Sequence, residues 1–271
     1  MIDVHTHLIP SSAASGYGRC VTPQELIAAM DAWGVTQAAV LPLESPECDT
    51  EYSLTAEAFA ACEQFPGRLI PFVGVDPRQQ RALDKIRHFH QRGARGYGEH
   101  KCGLAFDDPR SMAIYQLCGE LRLPVLFHID PGINYDEAGL PRLEHALSHC
   151  PATEFIAHGP AWWSAVSGDD DRTGTYPKTA VKPGGAADRL LGDYPNLYAD
   201  ISAGSGHNAL TRDPAFTEGF LSRHWRKLLF GTDFFWVGYS PPQIEWMAHA
   251  SMPAEWRHAI AEGNARRLLR L

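Results

Sequence analysis

The sequence predicts an α/β chain folded as a single (β/α)8 TIM barrel with a C-terminal helical extension. Short apolar runs of strand type alternate with segments of helical periodicity along the whole chain, and eight such runs recur at about thirty residues per unit. Units of this kind give a parallel sheet, and eight of them close into a barrel. The length agrees: 271 residues is long for one domain of most classes but ordinary for this one, so residues 1–271 are read as one domain.

The first strand, residues 2–7, is Ile2-Asp3-Val4-His5-Thr6-His7. A helix follows from Pro23 to Trp33, after Thr22 as its cap. Strands are then expected over 36–42, 69–75, 94–100, 124–129, 153–158, 196–202 and 227–232. The intervening helices are Thr50 to Gln64, Gln79 to Arg92, Ser111 to Leu121, Leu140 to His149, Gly185 to Leu191 and Pro214 to Arg223. After the eighth strand come Pro241 to His249 and Ala254 to Leu271, separated at Met252-Pro253, as the last barrel helix and the extension. Two connections are long, Ile9 to Val21 after strand 1 and Gly159 to Pro183 after strand 6; long connections in compact domains are usually functional or mobile.

Composition narrows the function. A hydrophobic fraction of 44% without charge runs or repeats indicates a large core. The net charge of -8 and the lack of a Lys/Arg-rich patch argue against nucleic acid as a partner. No apolar run approaches the ~20 residues of a membrane helix, and no basic segment precedes an apolar one as in a signal peptide. The expectation is a cytoplasmic protein that takes a small-molecule substrate; the sequence leaves open whether it is a homo-oligomer. The six cysteines have no CxxC spacing and are read as reduced thiols, outside any zinc knuckle or disulfide framework.

The chemistry sits at strand ends. Strand side chains alternate faces, so His5 and His7 project to one side and can grip one metal ion together. His128 ends the run Pro124-Val125-Leu126-Phe127-His128, His158 ends Phe155-Ile156-Ala157-His158, and Asp233 ends Leu228-Leu229-Phe230-Gly231-Thr232-Asp233. A lone His at a strand end is more often a hydrogen-bonded structural residue. Five such groups at the C-terminal strand ends, the barrel face where active sites sit, make coincidence a weak explanation. Nitrogen and oxygen donors without thiolate suit Zn, Mn, Fe or Ni and leave room for water.

Together with Asp3-Val4-His5-Thr6-His7, the segments Tyr194-Pro195-Asn196-Leu197-Tyr198-Ala199-Asp200-Ile201-Ser202, Leu229-Phe230-Gly231-Thr232-Asp233 and Gly263-Asn264-Ala265-Arg266-Arg267-Leu268 resemble the amidohydrolase superfamily, in its amidohydrolase-2 branch with the aminocarboxymuconate-semialdehyde decarboxylase-like proteins. The resemblance covers nearly the whole chain. It implies that His5, His7 and Asp233 bind a first metal, with His128 a ligand in the one-metal or the two-metal variant; the expected ion is zinc, one or two per chain. Superfamily members with two metals place a bridging carboxylate on strand 4. Arg95, Tyr97, Glu99 and Lys101 share one parity there, and Glu99 fits; the plain alternative is an ion pair with Lys101. Many decarboxylase-like members lack a strand-4 ligand, so Glu99 shifts weight toward hydrolysis.

By the same resemblance Asp233 also moves the proton of the attacking water to the leaving group. His158 is a ligand of the second metal or a donor to the developing oxyanion. Arg95 either clamps a substrate carboxylate or pairs structurally. Trp162 and Trp163 either wall the pocket or anchor the long connection by burial. Asn264 reads as a cap or turn residue; His100, His145, His149 and His207 show no partner pattern. The first expectation is a metal-dependent hydrolase of an amide, lactone or ester; the alternatives are non-oxidative decarboxylation of a small carboxylic acid and a barrel that binds ligand without turnover.

Overall fold

The computed structural model describes residues 1–9 and 20–271, so the connection expected from Ile9 to Val21 lies almost wholly outside the described residues. Eight parallel strands, β1 (Ile2–Thr6), β2 (Gln37–Val40), β3 (Leu69–Val73), β4 (Gly96–His100), β5 (Val125–His128), β6 (Phe155–His158), β7 (Leu197–Asp200) and β8 (Leu228–Leu229), pair in sequence order. The ring closes between β1 and the segment leaving β8: Val4 N donates to Phe230 O at 3.0 Å, Asp233 N to His5 O at 2.9 Å and His7 N to Phe234 O at 2.9 Å. This is the (β/α)8 barrel that the alternation implied.

Among the described residues, twelve α-helices cover it: α1 (Pro23–Trp33), α2 (Thr55–Gln64), α3 (Ala82–Gln91), α4 (Pro109–Leu121), α5 (Pro141–His149), α6 (Pro160–Ser164), α7 (Ala186–Asp193), α8 (Ala203–Thr211), α9 (Pro214–His224), α10 (Pro242–His249), α11 (Ala254–His258) and α12 (Asn264–Leu269). Local chemistry sets their ends. Thr22 and Glu25 form a reciprocal capping box at the start of α1, and Gly34, at φ 68°, ends it in the left-handed conformation that glycine adopts without strain. Two helices go beyond the sequence expectation. Helix α6 lies inside the long connection after β6; α8 has the poor helix formers Gly, Ser and Asn and is held by packing against α6 and α10. The expected helix 254–271 is divided by a π-helical turn at Ala259–Gly263, and no described helix is long and apolar enough to cross a membrane.

The interior of the barrel is a separate apolar cluster. Ile2, Val4, Ala39, Leu41, Ile70, Phe72, Leu126, Ile156 and Leu229 pack together and meet Ala265, Leu268 and Leu269 of α12, which floors the barrel at the N-terminal ends of the strands. Asn264 fixes that floor rather than capping a turn: its buried side-chain amide donates to Trp225 O at 2.7 Å and Leu228 O at 2.8 Å, the backbone entering β8. Replacing Asn264 by Ala orphans two buried carbonyls, so urea denaturation is expected to show a loss of roughly 2–4 kcal/mol; an unchanged midpoint would rule out this anchoring role.

Candidate metal centre

Strands β5 to β8 deliver their polar residues by simple alternation. Leu126, Ile156 and Leu229 fill the interior, and one period later His128, His158 and, beyond β8, Gly231 and Asp233 face the same way. Gly231 has to be small there, because a Cβ would sit 3.0 Å from that of Ser202 and 3.3 Å from that of His5.

Strands β1 and β4 do not alternate. Ile2 and Val4 already occupy the interior, so strict alternation would turn His5 and His7 outward; a register shift against β2 between Asp3 and Thr6 brings them in. In β4, Tyr97 packs outward with its hydroxyl donating to Val75 O at 2.9 Å, and a second shift, between Tyr97 and His100, turns Glu99 inward. Gly98, at φ 145°, sits in this shift; a Cβ on it would lie 2.5 Å from Leu126 O. Tyr97 and Glu99 therefore do not share a face, contrary to the parity reading.

Asp3 locks the entry to the site. Its carboxylate accepts from His5 N and Thr232 N at 3.0 Å each and from Thr232 Oγ1 at 2.6 Å, joining β1 to the segment after β8, and burial pushes its pKa up to about 7 against those hydrogen bonds. Asp233 is held in the left-handed region at φ 56°, a strained conformation for a non-glycine residue, by its N–H bond to His5 O.

The ring tautomers follow from the acceptors. His7 Nδ1 donates to Leu41 O at 2.8 Å, a carbonyl that can only accept, and His5 Nδ1 donates to Asp200 Oδ2 at 2.7 Å. Both Nε2 atoms then present lone pairs, and they face each other at 3.0 Å. Asp233 Oδ1 stands 3.5 Å from His5 Nε2 and 3.4 Å from His7 Nε2, and Glu99 Oε2 stands 3.8 and 3.5 Å from the same atoms. Two ligands bonded to one ion at roughly 2.0–2.2 Å lie roughly 2.8–3.6 Å apart at tetrahedral to square angles. The donor set thus fits a cation: an ion would take the place of the proton that the surrounding carboxylates otherwise favour on His5, between the two Nε2 atoms.

The second half of the cage mirrors the first. Asp200 Oδ1 accepts from His158 Nδ1 at 3.0 Å, directing His158 Nε2 toward Glu99 Oε1 at 4.0 Å and Asp233 Oδ2 at 3.9 Å. Glu99 Oε1 accepts from His128 Nδ1 at 2.9 Å, while His128 Nε2 is buried without a hydrogen bond and lies 3.6 Å from Asp130 Oδ2. His5–His7–Glu99, His5–His158–Asp233 and Glu99–His128–His158 each offer ligand atoms within 4.8 Å of one another. Ser202 Oγ donates to Asp200 Oδ1 at 2.6 Å, completing the support of that carboxylate.

Electrostatics agree with the geometry. Burial disfavours ionised Asp200, yet His158 and His5 hold its carboxyl well below the usual range. Burial also opposes protonation of His5, but Asp200 and Asp233 raise its pKa well above the usual imidazole value. Glu99 and Asp233 stay ionised despite burial, Glu99 through Lys101 and the hydrogen bond from His128, Asp233 through His5 and His7. The cage is a strong attractor of positive charge.

The structure thus brings together His5, His7, Glu99, His128, His158 and Asp233. It does not bring Arg95, which is exposed at the N-terminal end of β4, the opposite end from the cage; its placement before the register shift is the reason. Trp162 is fully buried with Trp163 in the apolar layer between strands and helices, as an anchor of the long connection. The sequence pattern assigned no role to Asp200 and Ser202, although Asp200 ends β7 as His158 ends β6; it gave none to Glu51 and offered Lys101 only as an ion-pair partner of Glu99. A cavity of about 70 Å³ beside the cage is lined by His7, Glu51, Glu99, Lys101, His128, Asp233 and Phe235.

No curated protein matches the chain. Among solved structures, it is similar to an uncharacterised TIM-barrel protein of Bordetella bronchiseptica (16% identity, TM-score 0.70, 100% of this chain and 99% of the other covered). A probable 2-pyrone-4,6-dicarboxylic acid hydrolase of Acinetobacter baumannii, with citric acid bound, is similar at 15% identity and a TM-score of 0.65 over 100% of this chain and 99% of that one. A dihydroxybenzoic acid decarboxylase of Polaromonas, with manganese and 2-nitroresorcinol bound, gives 17%, 0.63, 100% and 96%. At these identities the likenesses establish the fold. The family model Amidohydro_2, described as amidohydrolase, matches residues 2–271. Since that match takes in every strand that carries a cage residue, the chain belongs to the amidohydrolase family.

Proposed function

We propose that the chain is a metal-dependent hydrolase that opens an amide, lactone or ester bond of a small molecule. The observation carrying this reading is the pair of imidazole Nε2 atoms held 3.0 Å apart and faced by two carboxylates, an arrangement suited to a divalent ion. His5, His7 and Asp233 would hold the first ion, zinc or manganese. Glu99, with one oxygen toward His5 and His7 and the other toward His128 and His158, would bridge to a second. Such an ion supplies Lewis acidity and lowers the pKa of a bound water to about 7.

The residues do the rest. Asp233 is the most accessible member of the inner cage, its side chain 17% exposed, and lines the cavity, so it can take a proton from water there and return it to the leaving group. His158 has Asp200 behind its Nδ1, which fixes the ring so that Nε2 faces the cage, where it can hold the second ion or, carrying a hydrogen, donate to a developing oxyanion.

A second reading, decarboxylation of a small carboxylic acid, is favoured by the aromatic segment that follows Asp233. Phe235 lines the cavity and is backed edge-on by Trp236, with ring centroids 4.3 Å apart, and Trp236 lies 4.5 Å from Tyr239; the Phe235 ring is an apolar wall for a planar substrate, and the manganese-bearing Polaromonas structure is that of a decarboxylase. Metal-replete protein incubated with panels of esters, lactones, amides and hydroxybenzoic acids separates the two. Acid release without CO2 is expected; CO2 release from an acid as the sole activity would replace hydrolysis by the lyase reaction.

A further inference from the structure

We propose that Lys101 is the receptor for an anionic group of the substrate, and that its present partner Glu51 stands where that group binds. The inference rests on the small-molecule enzyme reading above and names the class of molecule: a carboxylate-bearing compound whose apolar body lies against Phe235.

Lys101 follows the register shift in β4 that turns Glu99 inward, and it lines the 70 Å³ cavity with Asp233 and His128. Its side chain is 16% exposed, which removes most of the water that would solvate an ammonium. An ammonium has three donors. Among the described residues the nearest ion-pair partner is Glu51 Oε2 at 3.5 Å, the outer limit of a hydrogen bond, and no closer acceptor meets Nζ. Glu51 ends the 3₁₀ segment Pro46–Glu51 after β2, and its side chain is 25% exposed, so it can turn toward water when a ligand arrives.

The other carboxylates around Lys101, Glu99 and Asp233, point their oxygens at the cage histidines, at 2.9 to 4.0 Å. They offset the buried charge at a distance without supplying close acceptors. Lys101 is therefore a desolvated cation with donors to spare beside the candidate reaction centre, and a carboxylate entering the cavity restores what burial took away. Phe235 lines the wall of the same cavity, which leaves an apolar surface for the body that carries the acid.

Benzoate and its neutral counterpart benzamide test the assignment by calorimetric titration of metal-replete wild type, Lys101→Met, Lys101→Arg and Glu51→Gln, with metal content and thermal midpoint measured for each. Lys101→Met keeps length and removes charge. It is expected to weaken benzoate roughly ten- to hundredfold, the range for one hydrogen bond to a charged group, with benzamide unchanged. Lys101→Arg is expected to retain most of the affinity, and Glu51→Gln to tighten benzoate by removing the competing anion. Benzoate affinity equal in wild type and Lys101→Met, equal loss of benzoate and benzamide, or no benzoate binding to wild type would each overturn the proposal. These readouts are equilibrium affinities, so a failure of hydrolysis in the turnover panels would leave the role of Lys101 standing or falling on its own measurements.

Discussion

Replacing Asp233 by Asn is expected to lower turnover by a factor on the order of 10²–10⁴ while the barrel remains folded. Asn keeps an oxygen of similar placement but cannot accept a proton as a carboxylate does. The backbone tolerates the change, since Asn is among the few residues that adopt the left-handed conformation found here at φ 56°. Loss of an anionic ligand also weakens ion binding, so metal content must be measured on the same samples. A fully loaded variant that turns over at near wild-type rate would reduce Asp233 to a ligand and move the proton transfer to another group, with His158 the next to examine.

Asp200→Asn is expected to act one step further out. Each Asp200 oxygen accepts an Nδ1–H, from His5 at 2.7 Å and from His158 at 3.0 Å. Asn retains one acceptor, so one of the two imidazoles loses its fixed tautomer and orientation. Metal affinity should fall roughly 10–100-fold, as it does when the carboxylate behind a metal-binding histidine is removed. Competition with a fluorescent chelator measures it, and circular dichroism checks that the fold is retained. Affinity unchanged in Asp200→Asn would mean that the carboxylate supports the barrel and does not tune the cage.

The barrel was legible because most of its strands are buried on both faces and read as apolar runs, and β5 and β6 each end in a polar residue that an interior strand would not otherwise tolerate. His128 and His158 could be placed from that pattern alone. The two register shifts could not be, because a bulge is a property of paired strands and leaves little trace in one of them. Alternation grouped Arg95, Tyr97 and Glu99 on one face, whereas they end on the surface, in the outer layer and in the cage respectively. Helix α8 was hidden for the opposite reason, since its Gly- and Ser-rich stretch has little intrinsic helicity and depends on its neighbours. Asp200 lies in a segment that carries the family resemblance, yet its role appears only when β1 and β6 bring their imidazoles to its two oxygens.

The floor formed by Ala265, Leu268 and Leu269 has a bearing on traffic. With the interior packed solid above it, the barrel is a cul-de-sac: whatever reaches the cage enters through the loop-lined mouth and leaves by the same door. Product must clear that passage before the next substrate molecule can enter. Steady-state kinetics should accordingly show product competing with substrate, and loops far from the reacting atoms then share control of how often the centre is used.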